Sequence, residues 1–141
     1  AAEAPRLAVL MIGTNNSNGA DNTAEEIADG IRAVVSALAV KLPDTKVLLL
    51  AIFPRGAEAD AQRAKNARAS QLASRIADGK RVHYLDIGAV FMGEDGSTLT
   101  RELMPDYLHL SPLAYGLWAE AIEPKVKELL GEGVAPKPAG R

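Results

Sequence analysis

The chain has 141 residues, 48% of them apolar and 24% charged, and its 16 lysines and arginines against 18 aspartates and glutamates leave a formal net charge of −2. These proportions bound it to one compact core and exclude disordered, collagen-like and coiled-coil classes. No apolar stretch reaches the roughly 18 residues of a membrane span, and the lack of a basic excess argues against nucleic acid as a partner. Cysteine is absent, which removes disulfides, thiolate metal sites and a cysteine nucleophile while leaving the compartment open, secreted or cytoplasmic. The chain opens on Ala1 without a methionine, so a removed signal peptide or a missing N-terminal segment is expected.

Residues 7–12 form an apolar run closed by Gly13, short enough for a strand and without the alternation of a sheet that has one wet face; burial on both sides is expected. Residues 13–22 are turn formers and small polar groups, a loop leaving that strand. Thr23 and Glu26 make a capping box. It opens a helix with an apolar stripe of Ile27, Ile31, Val34, Leu38 and Leu42, stopped by Pro43. A second apolar strand, 47–52, ends in Phe53-Pro54-Arg55-Gly56. A more exposed helix is predicted from Asp60 to Asp78, with Ala67, Leu72 and Ile76 as its apolar residues and Gly79 at its C-terminus. A third strand covers 82–87, and Glu94-Asp95-Gly96 signals a turn. Ser111-Pro112 starts the last helix, whose buried face is expected to hold Leu113, Leu117, Trp118, Ala121 and Ile122, with Pro124 as a kink. Residues 131–141 lack an apolar period and read as a loose tail. Strands greasy on both faces and alternating with helices predict a three-layered α/β fold with a parallel sheet. About three strands make that sheet small, with edges that need covering.

Neither a dinucleotide fingerprint nor a phosphate-binding loop is present. His83 and His109 stand apart from other ligand types, so no metal site and no cofactor are expected. Asp106-Tyr107-Leu108-His109 puts an acid and a base three residues apart in an irregular segment. In a loop this spacing lets the Asp106 carboxylate hold Nδ1 of His109 and leave Nε2 outward as a general base. The same residues also read as a turn cap beside a packed or surface histidine. Gly13-Thr14-Asn15-Asn16 lies at the carboxyl end of a parallel strand, where open α/β sheets bind ligands. There Gly13 lets the backbone approach a ligand and an asparagine amide can donate to a developing oxyanion, or the segment is an Asn-rich turn. His83 reads as a satisfied or edge histidine rather than a ligand, Asp86 as an acceptor for a loop amide rather than a triad acid, and Arg55 as a partner of a loop carboxylate ahead of a residue facing the site mouth.

Taken in order, Gly13-Thr14-Asn15-Asn16, Asn22-Thr23-Ala24-Glu25-Glu26, Phe53-Pro54-Arg55-Gly56 and Asp106-Tyr107-Leu108-His109-Leu110-Ser111 resemble the SGNH (GDSL-type) hydrolases. The likeness runs over residues 6–130 and is nearest to the catalytic alpha subunits of type I platelet-activating factor acetylhydrolase and their bacterial relatives. It implies a flavodoxin-like α/β/α fold, of which residues 1–130 would be the C-terminal part. It also implies a serine esterase acting on short acyl esters, with Asp106 and His109 as triad acid and base and Asn15 as oxyanion donor. Gly13, Thr14 and Leu108 would line the substrate, Thr14 and Leu108 at a small acyl pocket. The family's Gly-Asp-Ser block and the block that lends a glycine amide are not found, and Ala114-Tyr115 stands where the relatives place Gly-Tyr. The nucleophile is therefore expected outside this chain, on an N-terminal fragment or partner chain preceding Arg6; Ser17 is the in-chain alternative retained. A catalytically inactive binding or assembly module, its bare sheet edge buried in a homodimer, is the alternative function.

Overall fold

The computed structural model describes residues 3–131. Three parallel strands, β1 (Leu7–Leu10), β2 (Lys46–Leu50) and β3 (Val82–Leu85), form one sheet in the order β1-β2-β3. Leu7 pairs with Lys46 and Val47 with Val82 at the start of the two ladders. Side chains alternate across a strand, and β2 uses this fully. Val47 and Leu49 enter a core with α1 (Ala24–Lys41) and α2 (Ala61–Ala73), while Leu48 and Leu50 enter a second core under α3 (Pro112–Leu130). The fold is α/β and three-layered, as the alternation of elements implied. The loose tail expected over 131–141 lies, except for Gly131, outside the described residues.

The helix starts follow from local chemistry. The Thr23 hydroxyl accepts the Glu26 amide, and the Glu26 carboxylate accepts the Thr23 amide. Asp60 and Ser111 cap α2 and α3 in the same way, through the amides of Arg63 and Ala114. α3 runs through Pro124 and ends at Gly131, φ 71°. Its last turn is tied to the sheet because Lys46 Nζ donates to Leu129 O at 2.9 Å and Arg6 donates to Leu130 O, cations meeting orphan helix carbonyls.

Several expectations are corrected. β1 is not buried on both sides: it is an edge strand in which Val9 is 41% exposed. The stripe of α1 runs through Ala28 and Val35 instead of Val34, which is exposed. On α2, Ala67 is exposed, and Asn66, Ala69 and Ser70 face inward. α2 gives way at Ser74 to a short 3₁₀ turn ending at Ile76. On α3, Leu113 is 51% exposed while Ala114 is fully buried. On the helices the reason is that a 3.6-residue period sets the direction of an apolar stripe, whereas the packed neighbour sets its width; on β1 it is the place of the strand at the sheet edge.

Candidate active site

The loop leaving β1 is shaped by Gly13, whose φ of 118° is a backbone conformation that L side chains rarely adopt. A Cβ there would stand 2.9 Å from Ile52 Cδ1 and 3.1 Å from Ile27 Cγ2. Thr14–Ser17 then form one 3₁₀ turn, with the Asn16 amide donating to Gly13 O at 3.0 Å. Asn15 is exposed, and its carboxamide makes no hydrogen bond among the described residues. Ser17 is 1% exposed; its hydroxyl donates to Thr14 O at 2.6 Å and accepts from Gln62 Nε2 at 3.1 Å. Ser17 is therefore a tie between this turn and α2, buried away from solvent.

Around Asp106 the chain folds into a tight loop. One carboxylate oxygen accepts the amides of Leu108 and His109 at 3.0 and 2.8 Å, and the other lies 2.6 Å from His109 Nδ1. Tyr107 between them adopts φ 59°, a conformation costing about 1–2 kcal/mol in an L-residue. The loop is held from outside: the Tyr107 amide donates to Met104 O, Tyr107 O accepts the Gly56 amide at 2.9 Å, and the Ser111 amide donates to Leu103 O. Arg101 lies over the Tyr107 ring at 5.3 Å. The His109 side chain is 81% exposed, and only Nδ1 is engaged. With the Nδ1 proton directed at Asp106, Nε2 is the open, basic nitrogen. The hydrogen bond from His109, reinforced by its amide and that of Leu108, holds the Asp106 carboxyl well below the usual carboxylate range.

The two loops meet at Arg55-Gly56. Arg55 Nη1 lies 3.3 Å from both Thr14 O and Thr14 Oγ1, while the neighbouring Gly56 amide reaches Tyr107. Gly13, Thr14 and Asn15 are thus gathered on one side of this turn, and Asp106, Leu108 and His109 on the other. The expected carboxylate partner of Arg55 is corrected: its acceptors are the carbonyl and hydroxyl of Thr14. His83 lies on β3, its Nε2 3.1 Å from Lys80 O, and Asp86 accepts the Gly88 amide at 2.8 Å. Arg63 was not singled out by sequence, although its guanidinium joins Arg55 O, Gly56 O and Ser97 O. Only its place three residues after the capping Asp60 hints that it faces that loop.

A cavity of about 810 Å³ opens between α2 and the segment after β3, lined by Phe53, Asn66, Tyr84 and Met92 among others. Asn15, Asp106 and His109 do not line it. The chemistry-bearing groups sit at the exposed carboxyl end of the sheet instead. Among the described residues no three His, Asp or Glu side chains cluster to hold a metal ion, and no helix is long and apolar enough to cross a membrane.

The family described as GDSL-like lipase/acylhydrolase matches residues 1–117. The chain is 36% identical over 139 residues to platelet-activating factor acetylhydrolase IB subunit alpha1 of Bos taurus, covering 95% of this chain and 58% of that protein. To subunit alpha2 of Gallus gallus it is 36% identical over 129 residues, covering 91% and 55%. The chain thus spans little more than half the length of these curated relatives. Among solved structures it resembles Est24, a carbohydrate acetylesterase from Sinorhizobium meliloti, with TM-score 0.64 and 26% identity over 87% of this chain and 60% of that one. A family 3 carbohydrate esterase from Talaromyces cellulolyticus shares the fold at TM-score 0.69 and 20% identity, over 90% of this chain and 59% of that one.

Proposed function

As the chain belongs to the GDSL-like lipase/acylhydrolase family, we propose that it carries the acid–base and oxyanion half of a serine esterase for short-chain acyl esters, its serine lying outside these 141 residues. The observation that carries this reading is the 2.6 Å contact of Asp106 with His109 Nδ1, which leaves Nε2 open on an exposed ring. Nε2 takes the serine proton as the oxygen attacks the ester carbonyl, and Asp106 stabilises the imidazolium. The Asn15 amide, free of other partners, donates to the oxyanion. Collapse breaks the bond to the alcohol, which leaves with the proton from Nε2; water then enters by the same route and releases the acid. Thr14 and Leu108 flank the acyl group in this reading, consistent with relatives named acetylhydrolase and acetylesterase.

None of the six serines is hydrogen bonded to His109. Ser17 is buried and paired, Ser70 accepts the Ile52 amide, Ser74 donates to Gln71 O and Ser111 caps α3. The half-exposed face of β1 and its outer edge, unpaired among the described residues, favour a segment, or a second copy of the chain, pairing there. The test is hydrolysis of p-nitrophenyl acetate by this chain together with the segment or partner that carries the serine, before and after His109→Ala. Turnover should fall by a factor of about 10⁴ or more, and unchanged turnover overturns the reading. No turnover with the serine-bearing segment present favours the second reading, a binding or assembly module that pairs through β1.

A further inference from the structure

Arg63 sits in the first turn of α2, its amide donating to the capping Asp60 carboxylate at 2.8 Å. Its backbone is therefore fixed before its side chain is considered. The guanidinium has no carboxylate partner among the described residues and is spent on main-chain carbonyls. Nε donates to Arg55 O at 3.0 Å, Nη2 to Gly56 O at 2.6 Å and Nη1 to Ser97 O. A planar fork with five donors can hold two consecutive carbonyls and a third from another segment at once; a lysine ammonium, a point charge on a flexible stem, cannot keep that geometry. Gly56 takes φ 82° in the same turn.

The two residues so held face both halves of the site. Arg55 reaches Thr14 O and Oγ1 at 3.3 Å, one residue before Asn15, and the Gly56 amide bonds Tyr107 O at 2.9 Å, inside the Asp106–His109 loop. From these contacts we infer that Arg63 is a positioning residue, clamping the Arg55-Gly56 turn so that it spaces the Asn15 loop against the His109 loop. It acts through main-chain atoms and reaches neither substrate nor the reacting groups. The inference rests on the esterase reading for its effect on rate, since reacting groups displaced by about 1 Å can lose on the order of 100-fold. The mechanical link between the two loops stands apart from that reading.

The experiment compares wild type with Arg63→Lys and Arg55→Lys by p-nitrophenyl acetate kinetics and by backbone amide resonances of the active protein. Arg63→Lys should lower kcat roughly 10- to 100-fold with KM within about threefold, and should move the amides of Asn15 and His109 together. Arg55→Lys, which loosens only the Thr14 side, should move Asn15 and leave His109 in place. A folded Arg63→Lys protein with wild-type kcat, or with shifts confined to residues 55, 56 and 97, overturns the inference. If Arg63→Lys does not fold, Arg63→Gln decides by the same resonances: joint shifts of Asn15 and His109 support the inference, and shifts confined to residues 55, 56 and 97 overturn it. If the wild type hydrolyses no ester with its serine-bearing segment present, the esterase reading fails, and joint or confined amide shifts still decide the clamp.

Discussion

Asp106 is the residue on which the site turns, because its one carboxylate organises a loop and a ring together. Its pKa lies below the ordinary 3.8, owing first to the side chain of His109 and then to the amides of His109 and Leu108. The sign follows from that direction. The interaction is fully present above the unfolded value and is lost only as pH falls through the lower folded one. A carboxyl resonance titration of Asp106 should therefore have its midpoint well under 3.8, below that of ordinary carboxylates; a midpoint at 3.8 would show that the bonds are absent in solution. Asp78, through the amides of Val82, Lys80 and Arg81, and Asp95, through the Thr98 hydroxyl first and then the amides of Thr98 and Ser97, are lowered to about 2. All three are short-range arrangements, which is why the Asp-x-x-His spacing was legible from sequence. The φ of 59° at Tyr107 was not, since nothing about a tyrosine favours that region; the outside bonds to Met104 O and the Gly56 amide hold it there. Ser17 was also unreadable in the sequence. A serine beside an asparagine looks solvated until Gln62, 45 residues on, is folded against it.

Among the elements, the junction of β1 with α1 depends on one glycine. Gly13 combines φ 118° with a site where a methyl group would force the Ile52 and Ile27 side chains to shift. Gly13→Ala should destabilise the protein by about 1–3 kcal/mol from backbone strain alone, with overpacking adding to it, read as a lowered urea midpoint. An unchanged midpoint would mean that the turn relaxes freely. Helix starts were legible because caps are made within three residues, as Thr23 with Glu26 and Ser111 with Ala114 show. Helix faces were less so. Val34 and Leu113 fit an apolar period, yet α1 and α3 turn Val35 and Ala114 to the core in their place.

In the molecule as a whole, the sheet separates two cores, and the one under α3 also supports the site. Phe91, 1% exposed, packs against Phe53 at a ring distance of 4.8 Å, and Phe53 meets Trp118 edge-on at 4.9 Å. Phe91→Ala should cost about 3–5 kcal/mol in chemical denaturation, and a loss under 1 kcal/mol would show that this core collapses onto the void. Phe53 begins the turn that carries Arg55 and Gly56, so the packing reaches toward the Asn15 and His109 loops. The amino-acid sequence by itself determined the α/β class, the capped helices, the family likeness and the Asp106–His109 pair, because each is written in periodicity, in an ordered series of motifs or in contacts a few residues long. The tertiary structure alone decided that β1 is a half-exposed edge, that Ser17 is buried, and that Arg63 and Arg55 tie the two loops together. These depend on which distant segments meet, and that is settled by packing between elements rather than by any local pattern.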